Sequence, residues 1–449
     1  MTRTLSFVFE GLNERVGPAT WGQRHIWPVL DRHPGDRRRF VMRRVWAVPT
    51  GADAALVVAA LRTLVCRHEA LRTMITHQDG NLVQHVRAEG GFEILVEEQA
   101  GAWTERDVTA ATDLIAKEEF SLDKEYPVRF LILTSRDAPQ WVVVGASHMA
   151  VDGDACDILE REFRDLVQRP GGDAEADGAV TQTPLSRADS EQSDMGSKWN
   201  DRSLAYWQKV LEEFPDELFP RREPDENSWP DRGDRFLMLA AHAVGAGEEA
   251  DRKARKLRTS ASNVCMAALV RSLARHSGLD SFPLGVTYSN RYLPQAEGYV
   301  GTLAQQGIIG VPDALGKTFP RLSAELWTSL MNGHRHAYYD QSDVDTLIAR
   351  TCADGRYVGY GPVAHFVNFR MEQKLGKIHG AAVEQSSHGI TLAETGSLDY
   401  SPSRFGVYLG SDGTDLAVRL FVDTDAVPFD TAKKLVKDLL IEVQSSDLG

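Results

Sequence analysis

Trp141-Val142-Val143-Val144-Gly145-Ala146-Ser147-His148-Met149-Ala150-Val151-Asp152-Gly153 decides the reading of this 449-residue chain. Its first six residues are apolar or small, with three consecutive valines, which is the pattern of a buried strand. A histidine follows where the strand runs out. Asp152-Gly153 then closes a tight polar turn, and Ile158, Leu159, Phe163, Leu166 and Val167 mark one face of a helix beyond it. Strand ends of this kind present reactive groups to clefts. His148 exchanges a proton near neutral pH, which suits an amine or hydroxyl that loses its proton as it attacks a carbonyl. Gly153 is expected to take a φ angle barred to residues with a side chain. Alone, a histidine at a strand end is usually structural and an Asp-Gly pair usually a simple turn, so the neighbouring sequence has to decide.

Working outward, Val128 to Leu133 forms a second strand, joined to the first through Ser135-Arg136-Asp137-Ala138-Pro139 as a hairpin. Upstream, Leu5 to Phe9 is extended, Thr20 caps a helix, Asp53 to His68 carries apolar residues at helical spacing, and Leu71 to Thr76 reads as a strand. Downstream, Arg169 to Lys198 has almost no large apolar side chain and reads as a flexible linker. Single cores stop growing at roughly 250 to 300 residues, so two domains are expected: an N-terminal lobe over 1–168, the linker over 169–198 and a C-terminal lobe over 199–449. In the second lobe a helix spans Ser262 to His276, strands span Phe282 to Tyr288 and His365 to Phe369, and Arg404 to Leu409 pairs with Leu416 to Val422 across Ser411-Asp412-Gly413-Thr414. Thr431 to Val443 closes the chain as a helix. Helices alternating with strands predict a mixed α/β fold.

A net charge of −14 excludes the clustered basic surface that nucleic acid needs. Asp36-Arg37-Arg38-Arg39 and Arg43-Arg44 form a short local patch, a plausible dock for an acidic partner. Cys66, Cys156, Cys265 and Cys352 lie far apart, without metal-ligand spacing, and read as buried free thiols. With neither a leader segment nor a long apolar stretch, a cytoplasmic protein without a membrane partner is expected.

The Ser147-to-Gly153 segment resembles the signature of nonribosomal peptide synthetase condensation domains: two histidines, three variable residues, then Asp-Gly. Further matches follow in the family's order. Thr20-Trp21-Gly22-Gln23-Arg24-His25-Ile26-Trp27 looks like the opening Gln-x-x-x-Trp element. Arg67-His68-Glu69-Ala70-Leu71-Arg72-Thr73 is similar to the second motif. Tyr206-Trp207 resembles an aromatic pair after the linker, and Ser289-Asn290-Arg291 with Val300-Gly301 matches the Asn-Arg and Val-Gly pair. The resemblance implies two lobes like chloramphenicol acetyltransferase, arranged as a V-shaped pseudodimer with the active site at their interface and a tunnel open at both faces.

By the same resemblance, His148 is the dominant catalytic histidine, Gly153 lets its backbone approach the reacting groups, and Asp152 is structural, pairing with Arg291 across the lobes. Two departures stand out. Ser147 occupies the place of the first histidine, where its hydroxyl supports the site, and Gln305-Gln306-Gly307-Ile308 replaces the usual pattern after Val-Gly. Arg24, Gln305 and Asn368 are candidate channel residues; His25, His68 and His365 read as structural. The implied activity is amide or ester formation in natural-product biosynthesis, from an acyl or aminoacyl thioester on the phosphopantetheine arm of an acyl or peptidyl carrier protein. The acceptor is a small or carrier-bound amine or alcohol. No metal or resident cofactor is implied, and a free-standing enzyme acting in trans is expected. Two alternatives share these residues: a coenzyme A-dependent O-acyltransferase, and a catalytically silent domain that recruits a carrier or enzyme.

Overall fold

The computed structural model describes residues 2–31, 37–169, 182–219, 235–351, 365–370, 383–386, 388–398 and 404–445. The chain divides into two compact units, Met1–Lys198 with Ser289–Ala304, and Trp199–Tyr288 with Gln305–Gly449. The chain therefore passes between units three times, and a segment expected in the C-terminal lobe clusters with the first unit.

The first unit contains β1 (Thr2–Phe9), β2 (Arg15–Pro18), α1 (Trp21–Asp31), β3 (Val41–Ala47), α2 (Ala54–Arg67), β4 (Thr73–Gln78), β5 (Asn81–Val86), β6 (Gly90–Gln99), α3 (Glu105–Ile115), β7 (Val128–Ser135), β8 (Ala138–Ser147), α4 (Gly153–Gln168) and α5 (Pro184–Glu191). Its main sheet has the order β1-β6-β7-β8-β3, and β2-β5-β4 forms a small second sheet. The two central strands are buried on both faces, which is why their sequences lack a polar alternation. Val128, Phe130 and Ile132 of β7, with Val142, Val144 and Ala146 of β8, join the core containing Leu61, Leu64, Leu159 and Phe163 of α2 and α4. Leu131, Leu133 and Val143 pack instead with Ala111 and Ile115 of α3. The expected hairpin is present, turning on Arg136 and Asp137 at φ 50° and 65°, the two positive angles that match a tight turn to strand twist.

Two sequence expectations change here. Leu71 and Arg72 belong to a single 3-10 turn, Glu69–Arg72, and the strand starts at Thr73; the Thr73 hydroxyl donates to the Glu69 carbonyl at 2.6 Å and tightens that turn. The expected flexible linker contains all of α5 and the beginning of α6 (Asp194–Glu213). Thr183 caps α5 with a reciprocal Ser186 bond, and Pro184 occupies its first turn. Polar groups dock it, so a count of apolar residues missed it: Arg187 Nη2 donates to the Pro294 carbonyl at 3.0 Å, and Glu191 accepts the Trp21 N–H at 2.8 Å.

The second unit continues from α6 through β9 (Phe236–Ala243), α7 (Ala246–Leu257), α8 (Ala261–Ser277), β10 (Phe282–Tyr288), β11 (Gln305–Val311), α9 (Phe319–Arg335), α10 (Gln341–Thr351), β12 (His365–Arg370), β13 (Val383–Gln385), β14 (Ile390–Leu398), β15 (Phe405–Ser411), β16 (Leu416–Asp423) and α11 (Phe429–Gln444). Eight strands lie in the order β11-β10-β12-β15-β16-β9-β14-β13. Helix α8 is apolar on nearly every side because its residues from Asn263 to Ala274 are almost all buried. Of the predicted aromatic pair, Trp207 is buried edge-on to Tyr339, and Tyr206 stacks on His336 at 4.5 Å between centroids.

Cys156 and Cys265 are buried free thiols as expected, whereas Cys66 is half-buried and Cys352 lies outside the described residues. Burial, with Asp251 nearby, pushes the Cys265 thiol up to about 12. His68 is structural: its Nε2 lies 2.9 Å from Glu162 Oε2, which also accepts from Arg67 Nη1 at 2.8 Å. Burial raises the Glu162 pKa, but His68 and Arg67 outweigh it and leave the carboxyl below the usual glutamate range. A depressed folded pKa contributes stability above the unfolded value of about 4.3 and loses it as pH falls through the folded value. Glu162→Gln is therefore expected to cost about 2 kcal/mol at pH 7. Urea titrations from pH 7 down to pH 3 should show that deficit shrinking; a deficit independent of pH would contradict the assignment.

Candidate functional site

Strand β8 delivers Ser147 and His148 to the turn that precedes α4. Both peptide planes at the start of the turn are held. The Ser147 N–H donates to the Pro127 carbonyl at 2.8 Å, and the Ser147 carbonyl accepts the N–H groups of Ala150 and Val151 at 2.9 and 3.2 Å. His148 is half-buried between the buried residues Ser147 and Met149.

Side-chain alternation puts Ser147 on the α3 face of the sheet, with Val143 and Gly145. There its Oγ accepts the Met149 N–H at 3.3 Å. It also lines a small recess of about 290 Å³, counted with its open mouth, walled by Trp27, Leu30, Phe40, Val41, Phe120 and Leu122. The serine hydroxyl thus bonds within the turn.

Asp152 caps α4 and is 1% exposed. Its Oδ1 accepts from the Ala155 N–H at 2.8 Å and from Arg291 Nη2 at 2.5 Å. Its Oδ2 accepts the N–H groups of Leu303 and Ala304 at 2.9 and 3.1 Å. Four donors, one of them a guanidinium, thus occupy the two oxygens of this carboxylate. Arg291 is itself fixed, Nη1 donating to the Tyr299 carbonyl at 2.5 Å and Nη2 to that of Gly301 at 3.3 Å. Asn290, at φ 56°, turns the chain into this loop and donates from Nδ2 to the Leu303 carbonyl at 2.9 Å.

The Asp152–Arg291 pairing is present, but it does not join the two units. Arg291 lies in Ser289–Ala304, which belongs to the first unit together with Asp152. The physical reason is local: Val300 sits in the first unit's core, and the loop's own backbone N–H groups complete the Asp152 shell. Gly153 also differs from expectation. It is the buried first residue of α4 and is absent from the residues with positive φ.

Sequence reasoning missed three contributors. Thr302 Oγ1 donates to the His148 carbonyl at 2.6 Å. Gln23 Nε2 donates to the Met149 carbonyl at 3.3 Å and to Gln84 Oε1 at 3.1 Å. Gly22 is the third: a Cβ there would stand 2.0 Å from the Thr302 carbonyl oxygen. Gln23 sits in the Gln-x-x-x-Trp element and was legible as a motif; nothing in the sequence marks the Thr302 hydroxyl. Because backbone blocks the added carbon, Gly22→Ala is expected to destabilise by at least about 2 kcal/mol. An unchanged thermal midpoint for that variant would contradict the close approach.

Arg24 is half-buried on α1, one residue beyond Gln23. Gln305 opens β11 in the second unit, fully buried, with Nε2 donating to the Tyr339 carbonyl at 3.0 Å, the bonding of a structural amide. Asn368 lies on β12, and its side chain, like that of His365, is outside the described residues. The expected basic patch is more nearly neutral than its sequence: Arg37, Arg43 and Arg44 have Asp31, Asp113 and Asp157 within 3.7 to 3.8 Å. Asp36 and the Arg39 side chain lie outside the described residues. No helix among the described residues is long and apolar enough to cross a membrane, and no cluster of potential metal ligands occurs among them.

A family model described as the condensation domain matches residues 13–388. The polyketide synthase-nonribosomal peptide synthetase ACE1 of Pyricularia oryzae is 23% identical over 447 residues, covering 94% of this chain and 10% of that protein. The chain thus spans about a tenth of this curated relative's length. The condensation domain of the monacolin K polyketide synthase MokA superposes with a TM-score of 0.73 at 15% identity, covering 96% of each chain. The X-domain in complex with OxyB from teicoplanin biosynthesis superposes with a TM-score of 0.69 at 17% identity, covering 95% of this chain and 92% of that one. These likenesses confirm the mixed α/β fold of condensation domains. With the family model matched over most of its length, the chain belongs to the condensation-domain family, acyltransferases that form amide or ester bonds in natural-product assembly.

Proposed function

We propose that this chain joins an acyl or aminoacyl group, carried as a thioester on the phosphopantetheine arm of a carrier protein, to an amine or alcohol acceptor. The observation that carries this reading is His148 itself, presented at the end of a buried strand in a turn whose aspartate is fully engaged elsewhere. His148 orients the acceptor and takes its proton as the nitrogen or oxygen attacks the thioester carbonyl. The tetrahedral intermediate then expels the pantetheine thiolate, the C–S bond breaks, and the proton passes to sulfur. Gly153 leaves room beside the reacting groups, while Ser147, Asp152 and Arg291 keep the turn in place. Positioning supplies much of the acceleration, and the imidazole about 10²- to 10⁴-fold.

One observation favours a second reading. Serine replaces the first histidine of the family signature, as fits a domain that binds a carrier or a modifying enzyme without turnover. A single assay separates the readings: purified protein, one acyl group loaded in parallel on a carrier and on coenzyme A, and a panel of amines and alcohols read by mass spectrometry. Product from the carrier donor supports the proposal, and product from coenzyme A alone supports the O-acyltransferase alternative. Tight carrier binding without product supports recruitment.

A further inference from the structure

We infer that Thr302 is a positioning residue for His148, setting the direction of its side chain through the backbone; the inference rests on His148 being the reactive imidazole. The direction of a Cα–Cβ bond follows from the two peptide planes that flank it. The plane before His148 is fixed locally, since the Ser147 carbonyl accepts two N–H groups of its own turn. The plane after it carries the His148 carbonyl, which accepts the Thr302 hydroxyl at 2.6 Å from a residue 154 positions away. The next carbonyl, of Met149, is taken by Gln23 from α1.

Thr302 is itself 1% exposed and is held on both sides. Its carbonyl lies against Gly22, where no side chain fits, and the following N–H groups of Leu303 and Ala304 grip Asp152. One short segment therefore fixes the aspartate that caps α4 and the carbonyl of the histidine four residues before it. Any displacement of Thr302 turns the imidazole relative to its acceptor, and a 1 Å misplacement is enough to cost catalysis heavily.

The test uses Thr302→Val, which keeps the shape, Thr302→Ala, which adds no bulk if valine impairs folding, and Thr302→Ser, which restores the hydroxyl. In the valine or alanine variant kcat is expected to fall about tenfold, 1.4 kcal/mol in barrier, with the donor KM within about twofold of wild type; serine recovers most of the loss. The His148 imidazole resonance, followed by NMR in histidine-labelled protein, should move in the valine and alanine variants and return in the serine variant. A kcat and resonance unchanged without the hydroxyl, or a serine variant as impaired as valine, overturns the inference. If no donor is turned over even by wild type, that counts against the proposed function, and the resonance alone decides the role of Thr302.

Discussion

Arg291→Ala is expected to lower the unfolding free energy by about 3–5 kcal/mol. The Asp152 carboxylate is almost wholly removed from water and has one guanidinium within hydrogen-bond distance. Taking that guanidinium away leaves three backbone N–H groups around a full negative charge, and a buried charge without its partner is the most destabilising arrangement available here. The loss extends further, because Arg291 also ties the Tyr299 and Gly301 carbonyls, which lose their donor. For a unit of about 200 residues this corresponds to a drop in melting temperature on the order of 10 °C. Chemical denaturation of wild type, Arg291→Ala and Arg291→Lys measures it. Lysine should recover part of the loss, since it restores the charge without the planar fork. A midpoint for Arg291→Ala equal to wild type would show that the pair does not hold this turn.

His148→Ala is expected to leave stability close to wild type while reducing turnover by about 10²- to 10⁴-fold. The separation of the two effects is the informative part. The backbone carbonyl of residue 148 and the side chains of Asp152, Arg291, Thr302 and Gln23 make bonds that hold the turn, and alanine at 148 keeps all of these. Residual activity above background would come from positioning alone. Loss of activity accompanied by unfolding would instead make the histidine structural, the ordinary role of such a residue.

Strands β7 and β8 and helices α2, α4, α8 and α11 were legible because each has a clear apolar run or helical spacing. Helix α5 was not, because polar groups dock it: Arg187 and Glu191 are buried through bonds to Pro294 and Trp21, whose positions the local sequence does not disclose. At the site, His148, Asp152 and Arg291, with the pairing of the last two, were read from the family resemblance, while the backbone N–H groups of Leu303 and Ala304 that complete the Asp152 shell are disclosed only by the fold. The unit to which Arg291 belongs was misread, since nothing in Ser289–Ala304 indicates that this loop between β10 and β11 leaves its own sheet's unit. The recess beside Ser147 was equally hidden. It depends on which face of β8 the residue takes, and on aromatic and aliphatic side chains from three distant segments.

The most direct measurement is the intact mass of an acyl-loaded carrier protein incubated with acceptor and either wild-type or His148→Ala protein. The account predicts that wild type discharges the carrier to its free phosphopantetheine form as the amide or ester appears, while His148→Ala leaves it loaded over the same interval. Equal discharge and product with both proteins would contradict the central role of His148.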